Sequence, residues 1–177
     1  MNTIEVVKVA VFLTYNYSLK TWDESGTLSR ELKVYKHISK NYGVDFIFIT
    51  YGDEEDLNYG EFLGNFKVIP LYTHIKKHKS KILNYINSFF APYRLKDYLK
   101  EVDVLHQHQL LGSWVPILYR KIHKIPLVIR TGYDMYEFSK KENKNIFISY
   151  MYKILTIISI KLSDSYTVTS HSDYDLI

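Results

Sequence analysis

The amino-acid sequence predicts an α/β domain of the Rossmann-like, three-layer α/β/α kind with a mostly parallel sheet, and three observations predict it. Short apolar runs alternate with segments whose apolar residues recur at helical spacing, the pattern of strands joined through helices. The runs read as buried strands, which implies a parallel sheet covered on both faces. The length of 177 residues gives one such domain a proper core and is too short for two.

The elements follow in order. Residues 6–15, rich in Val and Phe, form the first strand, and a polar loop over 16–26 follows it. Leu28, Leu32, Tyr35 and Ile38 make the stripe of a helix over 27–42, which Asn41-Tyr42-Gly43 ends. Residues 44–50 and 67–71 are the next strands, separated by an acidic loop at 53–56. Two helical pieces, 80–90 and 92–99, are split at Pro92, whose ring breaks the hydrogen-bond ladder. A strand over 102–106, a helix over 111–122, a strand over 126–130, a helix over 145–162 and a strand over 165–169 complete the series. The apolar stretch at 146–160 carries Lys153 and is shorter than the roughly 20 residues that span a bilayer, so it is expected to be a core helix. Residues 170–177 have a capping serine and acidic first-turn residues without a C-cap. They read as a helix cut after one turn, and the chain as the N-terminal part of a longer protein, with a frayed natural tail as the alternative.

Composition removes several function classes. The chain has no cysteine, so disulfides, thiolate metal sites and cysteine nucleophiles are excluded, which fits a reducing cytoplasm. Glu5 and Lys8 interrupt the first apolar run, unlike a signal peptide. No G-x-G-x-x-G, P-loop, His-Glu-x-x-His or G-x-S-x-G pattern occurs, which argues against nicotinamide dehydrogenases and the common metalloproteases and hydrolases.

Ligands of an open parallel sheet bind beyond the carboxyl ends of the strands, so the residues at those tips are the candidates. Gly26 and Thr27 lie where the first loop enters a helix, offering free N–H groups and a positive helix end to phosphate; an ordinary helix-start glycine is the alternative. His106 and His108 alternate on a strand and share one face, with Gln107 opposite. His108 is expected to hydrogen-bond a sugar or phosphate, and His106 to be a satisfied core histidine; no metal site is expected. Arg130, Thr131, Gly132, Tyr133 and Asp134 end another strand with a guanidinium, a turn glycine and a carboxylate suited to sugar hydroxyls. Asp134 serves equally as a helix cap.

Residues 72–100 hold seven Lys or Arg against one Asp, interleaved with Tyr85, Phe89, Phe90 and Tyr93, in a chain of net charge +4. The segment suits an anionic membrane surface, or is a solvated helix face. No nucleic-acid reading motif accompanies the charge, so no nucleic-acid partner is expected.

The run Ser25-Gly26-Thr27-Leu28-Ser29-Arg30-Glu31-Leu32, with Asp103-Val104-Leu105-His106-Gln107-His108, Leu127-Val128-Ile129-Arg130-Thr131-Gly132-Tyr133-Asp134 and Val168-Thr169-Ser170, resembles the N-terminal domain of GT-B glycosyltransferases. The order and spacing are similar to the retaining family 4 (group 1) enzymes of bacterial surface polysaccharide synthesis, over essentially the whole chain. The resemblance implies an acceptor-binding domain facing a C-terminal donor domain. It implies transfer of a hexose from a UDP- or GDP-sugar to a glycan or lipid-linked acceptor, with retention and with no cofactor or metal. By matched position Gly26 and Thr27 would face the donor diphosphate, His108 would sit beside the transferred sugar as the catalytic candidate, and residues 130–134 would line the acceptor pocket. The chain departs from the family in having one glycine in the first loop where relatives have two, and no histidine at the Arg130-Thr131-Gly132 tip. The donor-domain pair of glutamates separated by seven residues is absent from the chain, so residues 1–177 alone are expected to be inactive. The expected location is the cytoplasm, with peripheral attachment to the inner face of the membrane. The reading from another class is a stand-alone sugar-binding or membrane-docking module.

Overall fold

A computed structural model describes residues 6–132, 134–142, 145–169 and 174. Six parallel strands form one sheet in the order β3-β2-β1-β4-β5-β6: β1 Lys8–Phe12, β2 Asp45–Thr50, β3 Lys67–Pro70, β4 Val104–Gln107, β5 Leu127–Thr131 and β6 Ser165–Val168. The sheet is wholly parallel, and its order reverses between β1 and β4, where a crevice opens beyond the strand ends. In register, Val11 lies beside Phe48 on one side and His106 on the other, and His106 beside Val128. These positions share one face of the pleat.

That face is covered by α1 (Leu19–Glu24), α2 (Leu28–Tyr42) and α3 (Gly60–Leu63), whose Leu19, Trp22, Leu28, Leu32, Tyr35 and Leu63 pack on Val11, Leu13, Phe46 and Phe48. The opposite face carries Ala10, Phe12, Ile47, Ile49, Leu105 and Ile129 against α4 (Lys81–Ser88), α5 (Ala91–Arg94) and α6 (Trp114–His123). Helices α7 (Met135–Lys141) and α8 (Ile146–Leu162) lie between β5 and β6 in the chain.

Besides α3 and α7, which the expected series lacks, three elements differ from expectation. The polar loop after β1 contains α1, because Ser18 caps it and Asp56, buried in the 3-10 turn Glu54–Tyr59, accepts the N–H groups of Leu19 and Lys20 at 3.1 and 3.2 Å. The second helical piece shrinks to α5 with Pro92 in its first turn, where a missing N–H costs nothing. The third is α8, which is not a core helix. Its buried residues are Ser149, Thr156 and Ser159, while Phe147, Tyr150, Met151, Ile154, Ile157, Ile158 and Leu162 are exposed. The small polar residues face inward because hydroxyl pairs draw the helices together: Ser139 Oγ donates to Ser149 Oγ at 2.7 Å, and Ser113 and Ser159 Oγ lie 3.0 Å apart. Among the described residues no helix is long and apolar enough to cross a membrane. The helix expected after β6 lies, apart from Tyr174, outside the described residues.

Candidate functional site

At the carboxyl edge of β1 and β4 a cavity of about 320 Å³ opens between the loop after β1, the end of α1, the first turn of α2 and the loop after β4. Glu31, in that first turn, is its central polar group. Its Oε2 lies 3.1 Å from His108 Nε2, its Oε1 accepts from Arg30 at 2.9 and 3.2 Å, and Arg130 Nη1 stands 3.8 Å from Oε2. One carboxylate thus gathers groups from α2, the end of β4 and β5. Sequence reasoning quoted Glu31 only within a motif; its place in the turn that enters α2 at the sheet's ligand edge was the signal that marks it.

His108 is buried, with Trp22 packed on its ring at 5.1 Å. Burial first, and then the Arg130 guanidinium, bring its pKa down to about 4, so the imidazole is neutral near pH 7. A carboxylate only accepts, so Nε2 carries the proton it gives to Glu31, and Nδ1 is left buried without a partner among the described residues. His106 lies one pleat deeper against Tyr35, with its pKa also down to about 4 by burial first and then by His108 and Arg130. It is a core histidine as expected, though not a satisfied one: its Nε2 has no partner among the described residues.

The Gly26-Thr27 turn has a different cause from the one its position suggested. Gly26 adopts φ +69° and donates its N–H to Asp23 O at 2.8 Å, and Thr27 donates to Trp22 O at 2.8 Å. This pair of bonds is the Schellman closure of α1, so neither N–H is free for phosphate. Thr27 leaves α2 without a side-chain cap, so the N–H groups of residues 28–30, its unsatisfied first turn, lie at the end of the helix whose Thr27, Arg30 and Glu31 line the cavity. Nothing lies within 4 Å of a Cβ built on Gly26, so Gly26→Ala meets only the left-handed backbone penalty. Urea titration of that variant should read a loss of about 1–2 kcal/mol, with the cavity's ligand affinity unchanged; a large affinity loss at unchanged stability would restore the phosphate role.

At the tip of β5 the candidates diverge. Arg130 turns to Glu31. The Thr131 hydroxyl donates to Thr167 O at 3.4 Å and the Gly132 N–H to Gln109 Oε1 at 3.0 Å, which occupies both away from the cavity. Gln109 holds φ +149°, a strained conformation for a residue with a Cβ, at a loop that ties β4 to β5. Asp134 caps α7 by accepting from Glu137 N at 2.7 Å, and it lines a separate cavity with Tyr136 and Lys153. Tyr133 lies outside the described residues.

No family model matches the sequence and no curated protein matches it. Solved structures do. MurG of Acinetobacter baumannii superimposes with a TM-score of 0.60 at 9% identity, over 94% of this chain and 42% of that one. The glycotransferase of kitacinnamycin superimposes with a TM-score of 0.51 at 14% identity, over 78% of this chain and 34% of that one. The chain has the fold of a GT-B glycosyltransferase domain. It spans less than half the length of either structure.

Proposed function

We propose that the chain is the acceptor-side domain of a retaining GT-B glycosyltransferase of family 4, working beside a second, donor-binding domain. It moves a hexose from a UDP- or GDP-sugar, without cofactor or metal, to a glycan or lipid-linked acceptor in surface polysaccharide synthesis. The carrying observation is the Glu31 cluster at the point where the strand order reverses. The Glu31 carboxylate, oriented by His108 and Arg130, accepts from sugar hydroxyls. The first turn of α2 and the exposed Arg30 guanidinium favour the donor diphosphate, whose negative charge grows as the bond to the anomeric carbon breaks. His108 stands beside the sugar as a neutral donor that fixes Glu31, and the basic segment 72–100 holds the enzyme at an anionic membrane surface from the cytoplasmic side.

The test is transfer of radiolabelled hexose from UDP- and GDP-sugars into membrane extract, by the gene's full product and by residues 1–177. Label is expected from the full product alone. Glu31→Gln keeps the shape but weakens a charge-assisted hydrogen bond, and should lower transfer about 10–100-fold. Undiminished transfer by that variant would remove Glu31 from the site. No label from either protein over a broad donor panel would leave the membrane-docking module, which the exposed apolar face of α8 favours.

A further inference from the structure

The exposed face of α8 and the cavity beneath it have no part in the Glu31 site. A groove of about 620 Å³ runs between α4, α6 and α8, lined by Phe89, Trp114, Ile117, Leu118, Leu155 and Ile158 among others, a volume within the range of ligand pockets. Its outer wall is the inverted helix: hydroxyls face in, while Phe147, Met151, Ile154 and Ile158 recur outward at spacings of four, three and four. Lys153, the one charge between residues 146 and 160, is turned aside, its Nζ 5.4 Å from the Tyr136 ring centroid. Ile82, Leu83, Ile86 and Phe90 extend the apolar surface across α4. Exposed apolar side chains gathered on neighbouring elements in this way mark an interaction site.

The groove's inner end adjoins a second cavity of opposite character. Tyr15 borders the groove and meets Tyr51 edge-on at 5.0 Å, and Tyr51 borders a polar cavity of about 360 Å³ with Lys20, Lys77, Lys81 and Asn84. Helix α4 joins the two: Lys81 and Asn84 reach the polar cavity, Tyr85 and Phe89 the groove. In the polar cavity Asp53 holds Lys77, Glu55 holds Lys20 and Asp56 is taken up by the N–H groups of α1. Lys81 has no ion-pair partner among the described residues and sits in the positive first turn of α4. The Tyr15 hydroxyl is buried without a hydrogen-bond partner among the described residues.

We infer that this groove binds the hydrocarbon chain of an anionic amphiphile, with its head at Lys81 and its tail between α6 and α8. The inference deepens the proposed function by naming the acceptor as lipid-linked, and rests on that reading for the acceptor role alone. A hydrocarbon occupant suits walls that carry no charged side chain and are mostly apolar, with Tyr15, Tyr85, Tyr152 and Trp114 the residues that bear a hydrogen-bonding group. The anionic head follows from Lys81 and from the charge of residues 72–100, seven basic side chains against Asp97.

Dodecyl phosphate carrying a terminal bromine tests this below its micelle concentration. Trp114 lines the groove, whereas Trp22, the other tryptophan, is buried on the opposite face of the sheet and serves as an unquenched reference. Saturable quenching of the Trp114 emission is expected, at least tenfold weaker in Ile158→Asp and in Met151→Asp, two exposed positions. Lys81→Glu should weaken the phosphate at least threefold, and inorganic phosphate should neither quench nor compete. Absent quenching, or equal quenching in both Asp variants with unchanged circular dichroism, would overturn the groove. Dodecyl maltoside binding as tightly as the phosphate would overturn the anionic head. The readout uses no nucleotide sugar, so failed quenching leaves the transferase reading standing, and failed sugar transfer with intact quenching removes that reading alone.

Discussion

Lowering the pH from 7 to 5 should cost the folded chain roughly 4 kcal/mol through His106 and His108 alone, a large part of the 5–15 kcal/mol that holds a domain. Both rings are neutral in the fold, with pKa values brought from 6.5 down to about 4 by burial first. A depressed pKa stabilises fully above the unfolded value of 6.5, and the contribution is lost as the pH falls from there toward 4, because the unfolded chain takes up protons the fold refuses. The groups facing the pair set the sign as well. Arg130 adds repulsion to each, the rings repel one another once charged, and Tyr35 offers His106 no carboxylate; among the described residues only Glu31 attracts, through the Nε2 of His108. Urea titrations at pH 7, 6 and 5 measure the slope. Replacing His106 by Leu and His108 by Gln should flatten it by more than half, and His74, whose pKa burial also lowers, keeps part of the remaining slope. The same slope in the double variant would place the titration elsewhere.

The sheet was legible because each strand is a short apolar run bounded by turn residues, and burial on both faces leaves such runs uninterrupted. The strand tips were legible for the same reason, and with them Arg130 and His108. The elements that escaped are those whose inward side is polar or whose ends are held from a distance. Helix α1 has only Leu19 and Trp22 to bury, and its start depends on Asp56, some 37 residues later in the chain. Helix α8 reads as core from its isoleucines, yet the helices it packs against supply serine hydroxyls, so its serines turn in and the isoleucines out. At the site, Gly26 was visible as a residue needing positive φ, but the sequence does not distinguish a helix-ending turn from a phosphate cradle. Glu31 acquires its meaning from His108, 77 residues away, which no local pattern carries.

Asp56→Ala should destabilise the chain by roughly 3–5 kcal/mol, the cost of stranding several buried donors. The Asp56 carboxylate is buried to 1% exposure and accepts from the Leu19 and Lys20 N–H groups and from the Thr50 hydroxyl at 2.5 Å. It therefore joins the start of α1 to the end of β2. For a chain of this size the loss corresponds to a fall in melting temperature of roughly 6–20 °C. Asp56→Asn separates charge from hydrogen bonding: its amide oxygen still accepts one N–H, and its NH₂ can donate to a rotated Thr50 hydroxyl, so it should cost about half as much. Gly52→Ala approaches the same point from outside, because its new methyl overlaps the Asp56 carboxylate and must push it off the α1 N–H groups. Calorimetry on the three variants should rank Asp56→Asn as the mildest. The function follows the same link, since α1 carries the Trp22 ring that packs on His108. Loosening α1 at its start should thus weaken the sugar binding proposed for the cavity at Glu31, 25 residues before Asp56 in the chain, while Asp56→Asn leaves it nearly intact. Equal melting temperatures for Asp56→Ala and the parent would mean that the α1 N–H groups find other acceptors, and that the cleft is held by α2 alone.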